Sequence, residues 1–404
     1  MFAELRTFEQ GPWAAAAAGE FNRFREGSPS HPLTLFDRNW NRSFLREPAD
    51  PRGGILMVHG LSDSPYSFRS LAARLEARGY TVMALRVPGH GTCPAALAEV
   101  KADDWAAAVR VAGRDLRRRL PEGAPMILMG YSNGAALSVN FTLESLEDEA
   151  LPRPDGLVLI SPMIGITPLA KITRYHNWIA AASGEERAHW SAVGAPIDPY
   201  KYSSWPMNAS VQAWKMTRRV EQGLADLDRA GRMAEFPPVL ACQSAIDATV
   251  KVQDLLEGLF GRLTDNGSEL LVFDVNRASW LEDLVRHDFE DALHPTFARE
   301  DLRYDLRLVT NISEESGEVE VRTRDGSRVY EEPLAESWPK KIFSLSHGAL
   351  PFPVDDPIYG NGTVETGSKL PLGNLDFRGE GGMLLISDGQ ILRIRHNPFY
   401  PYME

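Results

Sequence analysis

Between residues 54 and 163 four short apolar runs alternate with amphipathic segments, and this rhythm constrains the fold more than any other feature of the chain. The runs are Gly54-Ile55-Leu56-Met57-Val58, Tyr80-Thr81-Val82-Met83-Ala84-Leu85, APMILMG (124–130) and GLVLISPM (156–163). Each is too short for a buried helix and lacks the polar alternation of a half-exposed strand, so each predicts a strand covered on both faces. Between them lie SPYSFRSLAARLEARG (64–79), DDWAAAVRVAGRDLRRRL (103–120) and AALSVNFTLESL (135–146), with apolar residues at helical spacing. A β-α-β-α-β-α-β order predicts a mostly parallel sheet with helices on both faces.

The pattern then changes. Residues 164–235 read as a helical cap, Pro-interrupted and rich in Trp, Tyr and Met, with no strand signal. The sheet resumes with PPVLACQSAID (237–247), the helix VKVQDLLEGLFGRL (250–263) and the strand ELLVFDV (269–275). Residues 278–340 read as a further insertion carrying a hairpin around Asp325-Gly326. KKIFSLSHG (340–348) reads as another buried strand, and MLLISDGQILRIR (383–395) as a hairpin around Asp388-Gly389. Upstream, LTLFDRNWNRSFL (33–45) reads as a strand pair. The expected parts are 1–163 and 236–277 as core, 164–235 as cap, 278–340 as insertion, and 341–404 as the end of the core.

Charge excludes some functions. The net charge is −12, with no basic run, which argues against nucleic acid and anionic membrane surfaces as partners. No stretch has the eighteen consecutive apolar residues of a membrane span, and the N-terminal residues lack a secretory apolar core, so a cytoplasmic location is expected. Cys93 and Cys242 form neither a disulfide framework nor a metal-ligand spacing, and two free thiols are the expectation. No cofactor or metal motif is present, and none is expected.

The chemistry centres on ILMGYSNGAA (127–136). Gly130-Tyr131-Ser132-Asn133-Gly134 is a G-x-S-x-G sequence set between a buried strand and a helix, the context of a nucleophile elbow. Gly130 and Gly134 are needed where a Cβ would collide with the neighbouring strand and helix. An acyl-transfer site also needs backbone donors for an oxyanion. Asn133, just after the serine, offers one, and Leu61, in the loop after His59-Gly60, offers the other. His59 itself reads as a structural residue beneath that loop, and His90 in PGHGT as a packing residue beside it.

MVHGLSDSPYSF, LRVPGHGT, DDW and GYSNG, in that order, resemble bacterial α/β-hydrolases of the carboxylesterase, monoacylglycerol lipase and serine aminopeptidase-like group. The resemblance covers residues 50–165 well and 236–277 fairly. It implies the α/β-hydrolase fold and a triad in the chain order Ser, Asp, His. Asp247, past the strand after the cap, is the expected acid, with Asp274 the weaker substitute. Among histidines following Asp247, His347 ends a buried strand and enters a loop, where a general base is needed. His287, His294 and His396 share what remains. His347 lies 100 residues after Asp247, where simple members of the group have a few dozen, and the 278–340 insertion accounts for the difference. Asp355-Asp356, after His347, reads as a solvated loop, the other reading being a pair that tunes His347.

The implied substrate is a small ester with an apolar acyl or alcohol group, cleaved by a carboxylesterase. The other readings are a lysophospholipase or monoacylglycerol lipase, a small-peptide hydrolase, and a non-catalytic ligand receptor on the same fold.

Overall fold

The computed structural model describes residues 20–165, 189–247, 249–278, 289–338, 352–360, 376–378, 391–393 and 399–403. His347, His287, His396, the 340–348 strand and the Asp388-Gly389 turn lie outside the described residues.

The strands and helices run β1 (Phe44–Arg46), β2 (Gly53–Val58), α1 (Arg69–Ala77), β3 (Tyr80–Leu85), α2 (Ala102–Arg119), β4 (Met126–Tyr131), α3 (Asn133–Glu147) and β5 (Gly156–Ile160). They continue with β6 (Trp190–Ala192), β7 (Trp205–Pro206), α4 (Met207–Arg229), β8 (Val239–Ser244) and β9 (Glu269–Phe273). α5 (Glu290–Phe297), β10 (Asp305–Asn311), β11 (Glu318–Asp325) and β12 (Arg328–Ser337) follow. The main sheet has ten strands in the order β1-β3-β2-β4-β5-β8-β9-β10-β11-β12. From β3 to β10 every neighbouring pair is parallel, and β1, β11 and β12 join antiparallel.

The apolar runs are explained by what covers them. Leu56 and Val58 of β2, Leu128 of β4 and Leu157 and Leu159 of β5 point into one core beneath α2, α3 and α4. Their alternates Ile55, Met57, Met129, Tyr131 and Ile160 point into a second core with Tyr66, Phe68 and Ala72 of the opposite face. A strand sandwiched this way has no wet side, so period 2 disappears from its sequence.

Four expectations need correction. The 278–340 segment is not an excursion from the sheet: β10 pairs parallel with β9, and β11 and β12 extend the same sheet as an antiparallel hairpin. A third apolar cluster, including Leu271, Phe273, Val309, Val321 and Trp338, covers one face of this extension. The second half of the expected cap is α4, whose Ala209, Ala213, Met216, Val220 and Leu224 join the main core. The first half contains a small two-stranded sheet, β6 with β7, that no periodicity announced. Residues 33–45 form one short strand, β1, rather than a pair, because the preceding residues make turns.

Candidate functional site

The parallel strands place their C-terminal ends side by side, the edge at which open α/β sheets carry ligands. Val58 of β2 is in register with Gly130 of β4, so His59-Gly60-Leu61 and Tyr131-Ser132-Asn133 leave the sheet together.

Ser132 sits at φ 52° and ψ −114°, between β4 and the first residue of α3. A non-glycine residue with positive φ is strained by about 1–3 kcal/mol and persists only where its surroundings over-determine it. Here they do. The Ser132 N–H donates to the Ile160 carbonyl at 2.9 Å, and its own carbonyl accepts from Ala135, Ala136 and Met163. Both flanking glycines are required by space: a Cβ on Gly134 would stand 1.9 Å from the Val58 carbonyl oxygen, and one on Gly130 2.4 Å from the Ala135 Cα. Backbone cannot rotate aside as a side chain can. Among the described residues, positive φ outside glycine occurs at Ser62, Ser132 and Ser161, which follow β2, β4 and β5. The strain is therefore gathered at one end of three neighbouring strands.

The loop after β2 is a turn closed by the Asp63 N–H on the Gly60 carbonyl, 3.2 Å, with Ser62 at φ 63°. Gly60 lies against the elbow, where an added Cβ would be 3.3 Å from the Ser132 Cβ. The amides of Leu61 and Asn133 have no hydrogen-bond partner among the described residues. Asn133 opens α3, so its N–H belongs to the electropositive helix end. Its side-chain amide is buried, and neither Oδ1 nor Nδ2 has a partner among the described residues.

His59 is buried beneath this turn. Its Nε2 accepts from the Val87 N–H at 3.1 Å, which assigns the proton to Nδ1, and Nδ1 donates to the Gly60 carbonyl at 2.9 Å. Burial holds its pKa down to about 4. His90 packs edge-on to it at 5.0 Å and parallel to Tyr202. Burial, then the neighbouring His59, lowers His90 to about 3. Both are buried and packed against each other beneath the turn.

Asp247 follows β8 and is buried. Its Oδ1 accepts from the Thr249 and Val250 amides, both 2.9 Å, and its Oδ2 from Gln243 Nε2 at 3.2 Å. These donors fix the orientation of the carboxylate. Asp274, at the end of β9, is held instead by Arg277 at 2.9 Å and Thr310 at 3.0 Å, and Arg277 continues to Glu290. That is a structural ion-pair network. His294 is exposed on α5.

Sequence reasoning missed a group packed against the Gly60–Asp63 turn. Asp356, expected in solvent, is buried and accepts from Tyr66 Oη at 2.9 Å, Arg69 Nη2 at 3.2 Å and the amides of Ile358 and Tyr359. Asp355 beside it is exposed. Tyr66 stacks on Tyr200 at 3.9 Å, and Tyr359 donates to Asp198. No local pattern marks these partners, because they are up to 290 residues apart.

The mostly parallel sheet with helices on both faces is the α/β-hydrolase fold. Residues 49–215 match the family model described as serine aminopeptidase, S33. A thermostable monoacylglycerol lipase of Bacillus sp. (strain H-257) is 26% identical over 178 residues, 44% of this chain and 65% of that relative's own length. Among solved structures, one reported for two metagenome-derived lipolytic enzymes, LipS and LipT, is 25% identical with a TM-score of 0.45, covering 58% of this chain and 87% of its own. The monoacylglycerol lipase of Paleococcus ferrophilus is 15% identical with a TM-score of 0.42, covering 57% and 88%. Over less than half of its length, then, the chain is similar to hydrolases of the lipase and serine aminopeptidase type. No helix among the described residues is long and apolar enough to cross a membrane, and no described cluster of His, Cys, Asp and Glu could hold a metal ion.

Proposed function

We propose that the protein is a serine hydrolase that cleaves carboxylic esters, with Ser132, His347 and Asp247 as nucleophile, base and acid. The observation that carries this reading is the strained elbow at Ser132, closed by two glycines whose replacement would meet backbone. His347 takes the proton of Ser132 Oγ as Oγ bonds to the ester carbonyl carbon. The carbonyl oxygen becomes an oxyanion, which the Leu61 and Asn133 amides receive. Asp247 holds the imidazole in the needed tautomer and stabilises its charged form. Collapse breaks the bond to the alcohol, which leaves with the proton from His347. Water then attacks the acyl-enzyme by the same route, releasing the acid and restoring Ser132. His347 is favoured because the chain that follows it brings Phe352, Asp356 and Tyr359 into buried contact with Tyr66, three residues after the turn that carries Leu61.

The similarity to a monoacylglycerol lipase favours a second reading within the same chemistry, a longer acyl chain on a glycerol alcohol. Hydrolysis of p-nitrophenyl esters from acetate to palmitate tests both. Wild type turns over, and Ser132→Ala and His347→Ala each lose on the order of 10⁴–10⁶ in kcat. An optimum at butyrate marks an esterase, and one at decanoate or beyond favours the lipase reading. Turnover that survives Ser132→Ala would refute the mechanism, and turnover that survives His347→Ala would move the base to another histidine.

A further inference from the structure

Lys201 occupies an unusual place for a lysine. Its side chain is only 11% exposed, and its Nζ lies 3.5 Å from Asp63 Oδ2. Three aromatic rings surround the ammonium: Phe352 at 5.2 Å, Tyr359 at 5.5 Å and Tyr131 at 5.9 Å from their centroids. The rings and the carboxylate come from three parts of the chain. Tyr131 immediately precedes the nucleophile. Asp63 ends the turn that holds Leu61. Phe352 and Tyr359 belong to the segment that follows His347.

The lysine is itself held at its backbone. Arg23 Nη1 donates to the Asp198 and Lys201 carbonyls at 3.1 and 2.9 Å, and Asn41 Nδ2 donates to the Pro199 carbonyl at 3.0 Å. The Asp198 carboxylate accepts from the Tyr200 and Lys201 amides. One residue further on, the Tyr202 N–H donates to the Ser62 carbonyl at 2.8 Å. Residues 198–202 thus grip the turn twice, by main chain at Ser62 and by the lysine at Asp63. Ser62 needs such a grip, since its positive φ is a conformation that serine leaves when released.

An ammonium in a box of aromatic faces with one carboxylate is held in place beside the turn. We propose that Lys201 is a positioning residue for the oxyanion-binding turn, fixing Leu61 against Ser132 through Asp63 and Tyr131. This rests on the ester-hydrolase reading above. An amide displaced by half an ångström still admits the neutral ester, but it no longer meets the oxyanion. The loss therefore falls on kcat and spares KM.

The test compares Lys201→Met, which keeps length and removes charge, with Lys201→Arg, which keeps the charge. Each is measured beside wild type and Ser132→Ala on p-nitrophenyl butyrate. Lys201→Met is expected to lose roughly 10–100-fold in kcat, less than the full loss of an oxyanion donor at about 10²–10³. Its KM stays within about threefold, and Lys201→Arg recovers most of the rate. Affinity for a trifluoromethyl ketone, whose hemiketal oxygen occupies the oxyanion position, falls by the same factor as kcat/KM. A merely structural lysine would lower melting temperature without that parallel. Asp63→Asn breaks the same tie from the turn and carries the test if Lys201→Met does not fold. Wild-type kcat in either variant, a loss confined to KM, or unchanged ketone affinity overturns the proposal. If Ser132→Ala is inactive and Lys201→Met is not impaired, only the lysine's role falls. If wild type cleaves no ester and Ser132 resists fluorophosphonate labelling, the ester-hydrolase reading falls and takes this one with it.

Discussion

His59 stays uncharged because both of its ring nitrogens are committed, one accepting from Val87 and the other donating to Gly60. A second proton would break the Val87 bond and place a charge in the core. Unfolded histidines take up protons below about pH 6.5, whereas folded His59 resists to about 4 and His90 to about 3. Stability is therefore complete above pH 6.5 and is lost progressively as pH falls toward 4, with His59 alone worth about 3 kcal/mol. Urea unfolding from pH 8 to pH 4 should show this decline, and His90→Gln should flatten part of it. An acid dependence identical in wild type and variant would mean that His90 is not held neutral. At this scale the sequence marked the tight turn at Ser132 and the two glycines whose space it needs, because these form a local motif. It was silent on Lys201 and Asp356, whose environments are assembled from distant segments. Both carry charges that a sequence reading assigns to solvent by default.

Strands buried on both faces announce themselves as apolar runs, and β2, β3, β4, β5, β8 and β9 could all be read that way. β10, which carries Arg307 and Asn311 among its apolar residues, reads less plainly, and it fell inside the expected insertion. α4 shows the opposite failure. Ala209, Ala213, Met216, Val220, Leu224 and Leu227 recur every three or four residues along one helical face, a signal present in the sequence. The surrounding Trp and Tyr drew the reading toward a cap, yet this face closes the core over α3. Leu224→Ala should therefore cost about 2–4 kcal/mol, the range for a buried core leucine. A loss below about 1 kcal/mol in urea titration would return α4 to a loosely attached cap.

Ten strands in one sheet give the molecule a longer core than its first five strands prepare for, and the third cluster ties β8, β9, β10 and β11 to Trp338 and Phe399. Cys242 lies inside that cluster, and burial pushes its thiol up to about 12. Cys93 is buried elsewhere, and the two are unpaired. Ellman's reagent at pH 8 should find no fast thiol in the native protein and two after denaturation. One thiol reacting within seconds would contradict the burial of its site. The overall architecture was legible because parallel sheets repeat one physical unit. The sheet's extension was not, because an insertion and an edge hairpin look alike until their neighbours are known. Tyr66, three residues after the Gly60–Asp63 turn, donates its hydroxyl to a carboxylate 290 residues downstream. A ribosome adding about 5–20 residues each second delivers that partner roughly 15–60 s after the tyrosine. During this interval the nascent chain already contains its serine elbow but not the segment that clasps the turn beside it. Under the proposed mechanism, hydrolytic competence then waits until the residues around Asp356 have been synthesised.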